Sequence, residues 1–253
     1  MLYLTYIMLI SNQKLIFYLS IGFLLFVILF FLLRKKEGFE SSEKDVMINI
    51  LTRTGNRKNC YKKLEDSINK QTYRNFRHIK SNDNNQCNFL NNVNDVINVE
   101  NIKKERPGHC PYNLYLNKLI DSVDEGWIIV LDDDAKFVDE NYFKYLSKEL
   151  KKANKDEILL VNIYNSSNKH LLPNLNLSNS SQDNLRKIKP GGLDMGCLVF
   201  HHTNKTRFKD ECAGDIKFYK KAIENYTPRF INIKPGIWVN YSGKAWGKYT
   251  KCE

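Results

Sequence analysis

Blocks of changing apolar period run along this chain, and their order predicts alternating strands and helices. "DVMINILT", Asp45 to Thr52, is an almost unbroken apolar run of strand length, and "RTGNR" after it has turn composition. Cys60, Leu64 and Ile68 then recur at helical spacing until "QTY" ends the helix, and "FRHIKSND", Phe76 to Asp83, predicts a second strand that stops in polar residues. From Pro111 to Val123 the stripe Tyr112, Tyr115, Leu116, Leu119, Ile120 and Val123 predicts a helix, with proline at the start where its missing N–H costs least. Trp127 to Leu131 predicts a third strand. Further on, "DENYFKYLSKELKKA" predicts a helix capped by Asp139, with Phe143, Leu146 and Leu150 inward, and "EILLVNIY" another strand. Asn165 to Lys189 is Asn/Ser-rich and weakly patterned, which predicts a long surface loop with the character of a lid. "GGLDMGCLVFH" returns as a strand, Ala213 to Tyr226 as a helix with an acid in its first turn, and "RFINIK" as the last strand.

The β-α-β order predicts a parallel, doubly wound α/β sheet, whose ligands sit beyond the carboxyl ends of the strands. Three of the predicted strands end there in polar residues: Thr52 and Arg53, Asp83, and the run Asp132, Asp133, Asp134.

One apolar block is too long for this scheme. Leu15 to Leu33 holds no charge and is long enough to span a bilayer as a helix, and it exceeds a signal-peptide core without a small-residue cleavage site behind it. The expected organisation is an N-terminal tail over 1–14, a transmembrane anchor over 15–33, a polar linker over 34–44 and one globular domain over 45–253. Arg34, Lys35 and Lys36 outweigh Lys14, which favours the domain on the cytoplasmic side. The sequons at Asn165, Asn176, Asn179, Asn204, Asn225 and Asn240 would matter only on the other side, and an Asn-rich chain makes sequons by chance.

The net charge of +11 comes from lysines scattered over the whole chain, with no basic helix, finger or aromatic signature to organise them on nucleic acid. A nucleic-acid partner is therefore not expected, whereas a basic surface suits phosphates or anionic lipid heads. The six cysteines are widely spaced without a C-x-x-C pair, which argues against zinc. They either pair in an oxidising lumen or stay as buried thiols.

The chemistry concentrates in "GWIIVLDDDAKF", Gly126 to Phe137. Three adjacent carboxylates repel one another, so they need solvent, raised pKa values or a bound cation. At a strand tip the first and third side chains of Asp-x-Asp point together. That suits a hard divalent cation, Mn²⁺ or Mg²⁺, with positions left open for phosphate oxygens.

Taken with its neighbours, this segment resembles the family 2 glycosyltransferases of GT-A fold, over roughly Val46 to the C-terminus. "INILTRTGNR" is similar to the family's opening strand and nucleotide turn, "LEDSINKQTYRNFRHIKSND" to its second-strand segment, and "GWIIVLDDDAKF" to its acidic signature, in matching order. The resemblance implies a Rossmann-type mixed, mostly parallel sheet with helices on both faces. It further implies a metal-dependent, inverting transfer from a nucleotide-diphosphate sugar, a UDP-sugar first, to a hydroxyl of a glycan, lipid or protein acceptor. On that resemblance Thr52, Arg53 and Asp83 hold the nucleoside, Asp132 and Asp133 contact the nucleotide sugar, Asp132 and Asp134 hold the metal, and Asp215 in "AGD" is the catalytic base. Lys244 or Lys248 in "VNYSGKAWGK" meets the diphosphate. Two departures stand out: the second strand ends in "SNDN" instead of two acids, and Gly214 precedes Asp215 where many members carry Glu. His201 finishes a strand, with a metal or acceptor contact as the alternative, and Gly191 and Gly192 serve a turn. Two other readings share the acid cluster: an Asp-nucleophile phosphohydrolase, whose fold usually begins with such a motif, and a membrane-tethered glycan-binding module without turnover.

Overall fold

The structure is a computed structural model; it describes residues 22–23, 45–54, 57–83, 87–90, 93–99, 110, 112–166, 169–173 and 181–239. The chain divides into two compact units, Met1–Asp45 and Val46–Glu253. The expected anchor at 15–33 lies outside the described residues apart from Gly22 and Phe23, and among the described residues no helix is long and apolar enough to cross a membrane.

In the second unit the chain runs β1 (Ile48–Thr54), α1 (Lys58–Asn69), β2 (Phe76–Asp83), β3 (Val96–Val99), α2 (Tyr112–Asp121), β4 (Trp127–Asp132) and β5 (Ala135–Phe137). It continues through α3 (Tyr142–Leu150), β6 (Glu157–Val161), β7 (Ile163–Asn165), β8 (His170–Leu172), α4 (Gln182–Arg186), β9 (Leu198–His201), α5 (Gly214–Ala222), β10 (Thr227–Ile231) and β11 (Ile237–Val239). A seven-stranded sheet has the order β10-β6-β9-β4-β1-β2-β3, and a four-stranded sheet the order β5-β11-β7-β8. The large sheet is the mostly parallel one expected. β9 is its reversed strand, antiparallel to both β4 and β6.

Burial explains the strands. β1 and β4 are buried along nearly their whole length, as strands covered on both faces must be, and Ile48, Ile50, Leu51 and Ile128 to Leu131 join the main core. α1 turns Cys60, Tyr61, Leu64 and Ile68 inward, and α3 turns Tyr142, Phe143, Leu146 and Leu150 inward. The residue before α3 is Asn141, while Asp139 stands two positions earlier and its carboxylate accepts the Asn141 N–H at 2.9 Å. Asp139 thus orders the approach to the helix instead of capping it directly. The expected loop over 165–189 contains β8 and α4, and "GGLDMGCLVFH" is a strand only from Leu198, preceded by a 3₁₀ turn at Met195–Cys197.

The reversal of β9 decides what lies at the ligand edge. Trp127 pairs with His201 and Ile129 with Val199, so β9 begins beside the carboxyl end of β4 and finishes at its amino end. The turn at 194–197 therefore sits at the ligand edge. His201 lies at the opposite end of the sheet, edge-on to Trp127 and hydrogen-bonded to the Thr203 hydroxyl at 2.9 Å, which removes it from any metal or acceptor contact.

Candidate active site

β1 and β4 run side by side in parallel with Arg53 opposite Asp132, so two strand tips deliver a cation and a carboxylate to one place. The Arg53 guanidinium donates to Asp132 Oδ1 at 3.2 Å. Arg57, just before α1, forms ion pairs with Asp133 and with Asp134, the latter at 3.1 Å. The three adjacent acids differ sharply in access: the side chain of Asp132 is 44% exposed, that of Asp134 9%, and that of Asp133 is shut off from solvent at 0%. Asp132 is therefore the most open of the three, and Asp134 is largely covered. Asp133 is a buried anchor for Arg57.

The other expected residues divide in the same way. Thr52 is fully buried with its hydroxyl 3.0 Å from His78 Nε2, so it reaches no ligand through its side chain. Burial, followed by the charge of Lys80, pushes His78 down to about 3, so its imidazole is neutral. Asp83 ends β2, its backbone registered against Val99. Lys244 and Lys248 lie outside the described residues. Asp215 occupies the first turn of α5, where Asp215 Oδ1 accepts the Ile216 N–H at 2.9 Å. The neighbouring Glu211 is held by Lys217 at 2.6 Å, which keeps its pKa low and makes it a poor proton acceptor.

Two residues missed in the sequence belong to this site. Arg57 is one, lying within a turn motif but far along the chain from its acids. Asp194 is the other: it caps the turn before β9, accepting the Gly196 N–H at 2.7 Å. Gly196 in turn sits against Leu131, where a Cβ would come within 3.0 Å of the Leu131 side chain and 3.2 Å of Asp194 Oδ1. The signal available for Asp194 was an acid flanked by glycines, which also describes an ordinary turn.

The carboxylates feel one another. Burial, then Asp132, pushes Asp134 up to about 7, with Arg57 opposing and Asp133 adding. Burial and Asp132 push Asp194 up to about 8, with Asp215 and Asp134 contributing. Asp215 is also raised, by burial first and by Asp132 last, while backbone N–H groups pull the other way. Arg57 stays above its ordinary value because the three acids outweigh the cost of burying its charge. Crowded acids with raised pKa values are what a divalent cation relieves, and their oxygens are hard donors. Among the described residues no group of three or more His, Cys, Asp or Glu is arranged to hold a metal ion.

No family model and no curated protein sequence matches the chain. Solved structures do. Residues 1–349 of S. aureus TarS superpose with a TM-score of 0.56 at 15% identity, over 77% of this chain and 60% of that one. The same protein in complex with UDP-GlcNAc gives 0.54 at 17% identity, over 80% and 60%. The mannosyltransferase PcManGT from Pyrobaculum calidifontis, in complex with GDP-Man and Mn²⁺, gives 0.52 at 13% identity, over 87% and 66%. This chain spans less than two thirds of the length of each of these structures. At these identities the likeness is one of fold, and the chain has the GT-A-like fold of nucleotide-sugar glycosyltransferases.

Proposed function

We propose that this protein is a glycosyltransferase that moves a sugar from a nucleotide diphosphate, a UDP-sugar first, to an acceptor hydroxyl with inversion. One observation carries the reading. Asp132 and Asp134 stand at the carboxyl end of β4, between a parallel β1 and an antiparallel β9, within electrostatic reach of a half-buried Asp215. Fold alone does not give activity, but this fold with these acids at its switch point favours donor binding over the phosphohydrolase reading.

Asp132 and Asp134 would hold Mn²⁺ or Mg²⁺, which when bound supplies positive charge against the donor diphosphate. Arg53 and the β2 end at Asp83 would flank the nucleoside, and Lys244 or Lys248 would meet the diphosphate. Thr52 and Asp133 would contribute through the backbone and through the packing of Arg57. Asp215 would accept the acceptor's hydroxyl proton as the oxygen bonds to the anomeric carbon and the bond from that carbon to the diphosphate oxygen breaks. Its raised pKa, caused first by burial, suits a group that must gain a proton. Arg53 and Arg57, ion-paired with Asp132 and Asp134, would help balance the charge of the departing group. The acceptor is a glycan, lipid or protein hydroxyl, and residues 15–33 would tether the enzyme to a membrane.

Incubating the full chain with UDP- and GDP-sugars and Mn²⁺, and following nucleotide release, tests the reading. Release that depends on one donor and stops with EDTA is expected; no release from any donor overturns the transferase reading.

A further inference from the structure

Asp215 is reached through a turn, residues 208–214, that the rest of the domain holds from one side. Asn117 on α2 donates to the Phe208 carbonyl at 2.9 Å and accepts the Phe208 N–H at 2.8 Å. Cys110 N–H donates to Asp210 at 2.7 Å, and Cys110 forms a disulfide with Cys212. Asn113, buried in the first turn of α2, donates from Nδ2 to the carbonyls of Lys209 at 3.2 Å and Glu211 at 2.5 Å.

Two features of the turn call for such a hold. Ala213 has φ +59°, a left-handed conformation that a residue with a Cβ adopts only when its surroundings fix it. At Gly214, a Cβ would come within 2.6 Å of Asn113 Nδ2 and 2.7 Å of its Oδ1. The buried amide thus fills the space a side chain at position 214 would need.

We infer that Asn113 is a positioning residue for Asp215: its amide takes the room of the acid missing at 214 and fixes the strained turn that aims the carboxylate. This rests on Asp215 being the base. Asn113 touches no reacting atom, and its effect on transfer runs through the Lys209 and Glu211 carbonyls and its packing against Gly214.

The test uses the full chain with the donor that supports turnover, and measures kcat, donor KM and Mn²⁺-dependent UDP affinity for Asn113→Ala, with Asn113→Ser as the milder truncation. A fall in kcat of about 10- to 100-fold is expected, the scale of a small misplacement of a reacting group, with donor KM and UDP affinity at parental values. Thermal unfolding gives a reading independent of turnover. Gly214→Ala should lower the melting temperature in the parent and clearly less in an Asn113→Ala background, because the clash partner is gone. Parental kcat in Asn113→Ala overturns the inference, as does equal destabilisation by Gly214→Ala in both backgrounds. Loss of the fold in both Asn113 variants also overturns it, since the residue is then structural. Asp215→Asn is run alongside. If it transfers normally the base reading has failed, whereas if it is inactive while Asn113→Ala turns over normally, the positioning role alone has failed.

Discussion

Arg57 holds two of the three adjacent acids, so it bears the largest single load in the site. Replacing it with alanine leaves the fully buried Asp133 without that cation, and breaking such a pair costs on the order of 3 kcal/mol. Urea unfolding of Arg57→Ala should show a loss of that size; a loss below about 1 kcal/mol would mean that Asp133 gives up its charge or finds another partner. Asp134 and Asp194 set a pH dependence. Their folded pKa values, about 7 and about 8, lie above the ordinary 3.8, so between roughly pH 4 and 8 the folded chain binds protons that the unfolded chain has released. Below about pH 6.5 the lowered pKa values of His78 and His201 oppose this, so metal-free stability should fall as the pH rises from about 6.5 through 7 and 8. Added Mn²⁺ should recover most of the Asp134 share, because it binds the ionised form. Melting temperatures from about pH 6.5 to 8, with EDTA and with Mn²⁺, would show this, and an EDTA profile that rises with pH over that range would contradict it. The acids themselves were legible in the sequence, because they follow an apolar strand and their neighbours set the context. Arg57 and Asp194 were not, since what joins them to the site is the pairing of β1 with β4 and the reversal of β9, contacts across 77 residues in the case of Arg57 and Asp134.

Elements buried on both faces announced themselves, and short ones did not. β1, β2 and β4 carry enough apolar residues to be read, with ends within a few positions of those found. β3, β5 and β11 have three or four residues each, and alternation over so few positions is no stronger than chance. The direction of β9 was equally hidden, because an apolar run does not say which way it is traversed. The entry to β4 depends on Gly126, at φ +84°, where a Cβ would meet the Met47 carbonyl at 2.4 Å. Gly126→Ala combines left-handed strain with a backbone clash, and should cost about 3 kcal/mol. It should also lower donor affinity, because β4 carries Asp132. Wild-type stability in that variant would show that the turn can be rebuilt without moving the strand.

At the scale of the whole molecule, disulfide chemistry and the basic flank of the proposed anchor point in different directions. Arg34 to Lys36 favour a cytoplasmic domain, yet Cys110 and Cys212 are bonded, Cys60 is disulfide-bonded as well, and such bonds are kept on an oxidising side. Cys87 and Cys197 are buried and outside any disulfide, so both fates open to the cysteines occur. Thiol labelling of the protein in native membranes should leave Cys110 and Cys212 unmodified until a reductant is added; labelling without reductant would put the domain on the reducing side. Among the described sequons, Asn165 and Asn204 are buried, and Asn225 is exposed and accessible to modification. The most direct test of the account compares binding with transfer in Asp215→Asn, which keeps the shape of the side chain and removes its capacity to accept a proton. Calorimetry with UDP and Mn²⁺ should give parental affinity that EDTA abolishes, while sugar transfer falls about 10²- to 10⁴-fold. Parental transfer by Asp215→Asn, or UDP binding undiminished by EDTA, would contradict it.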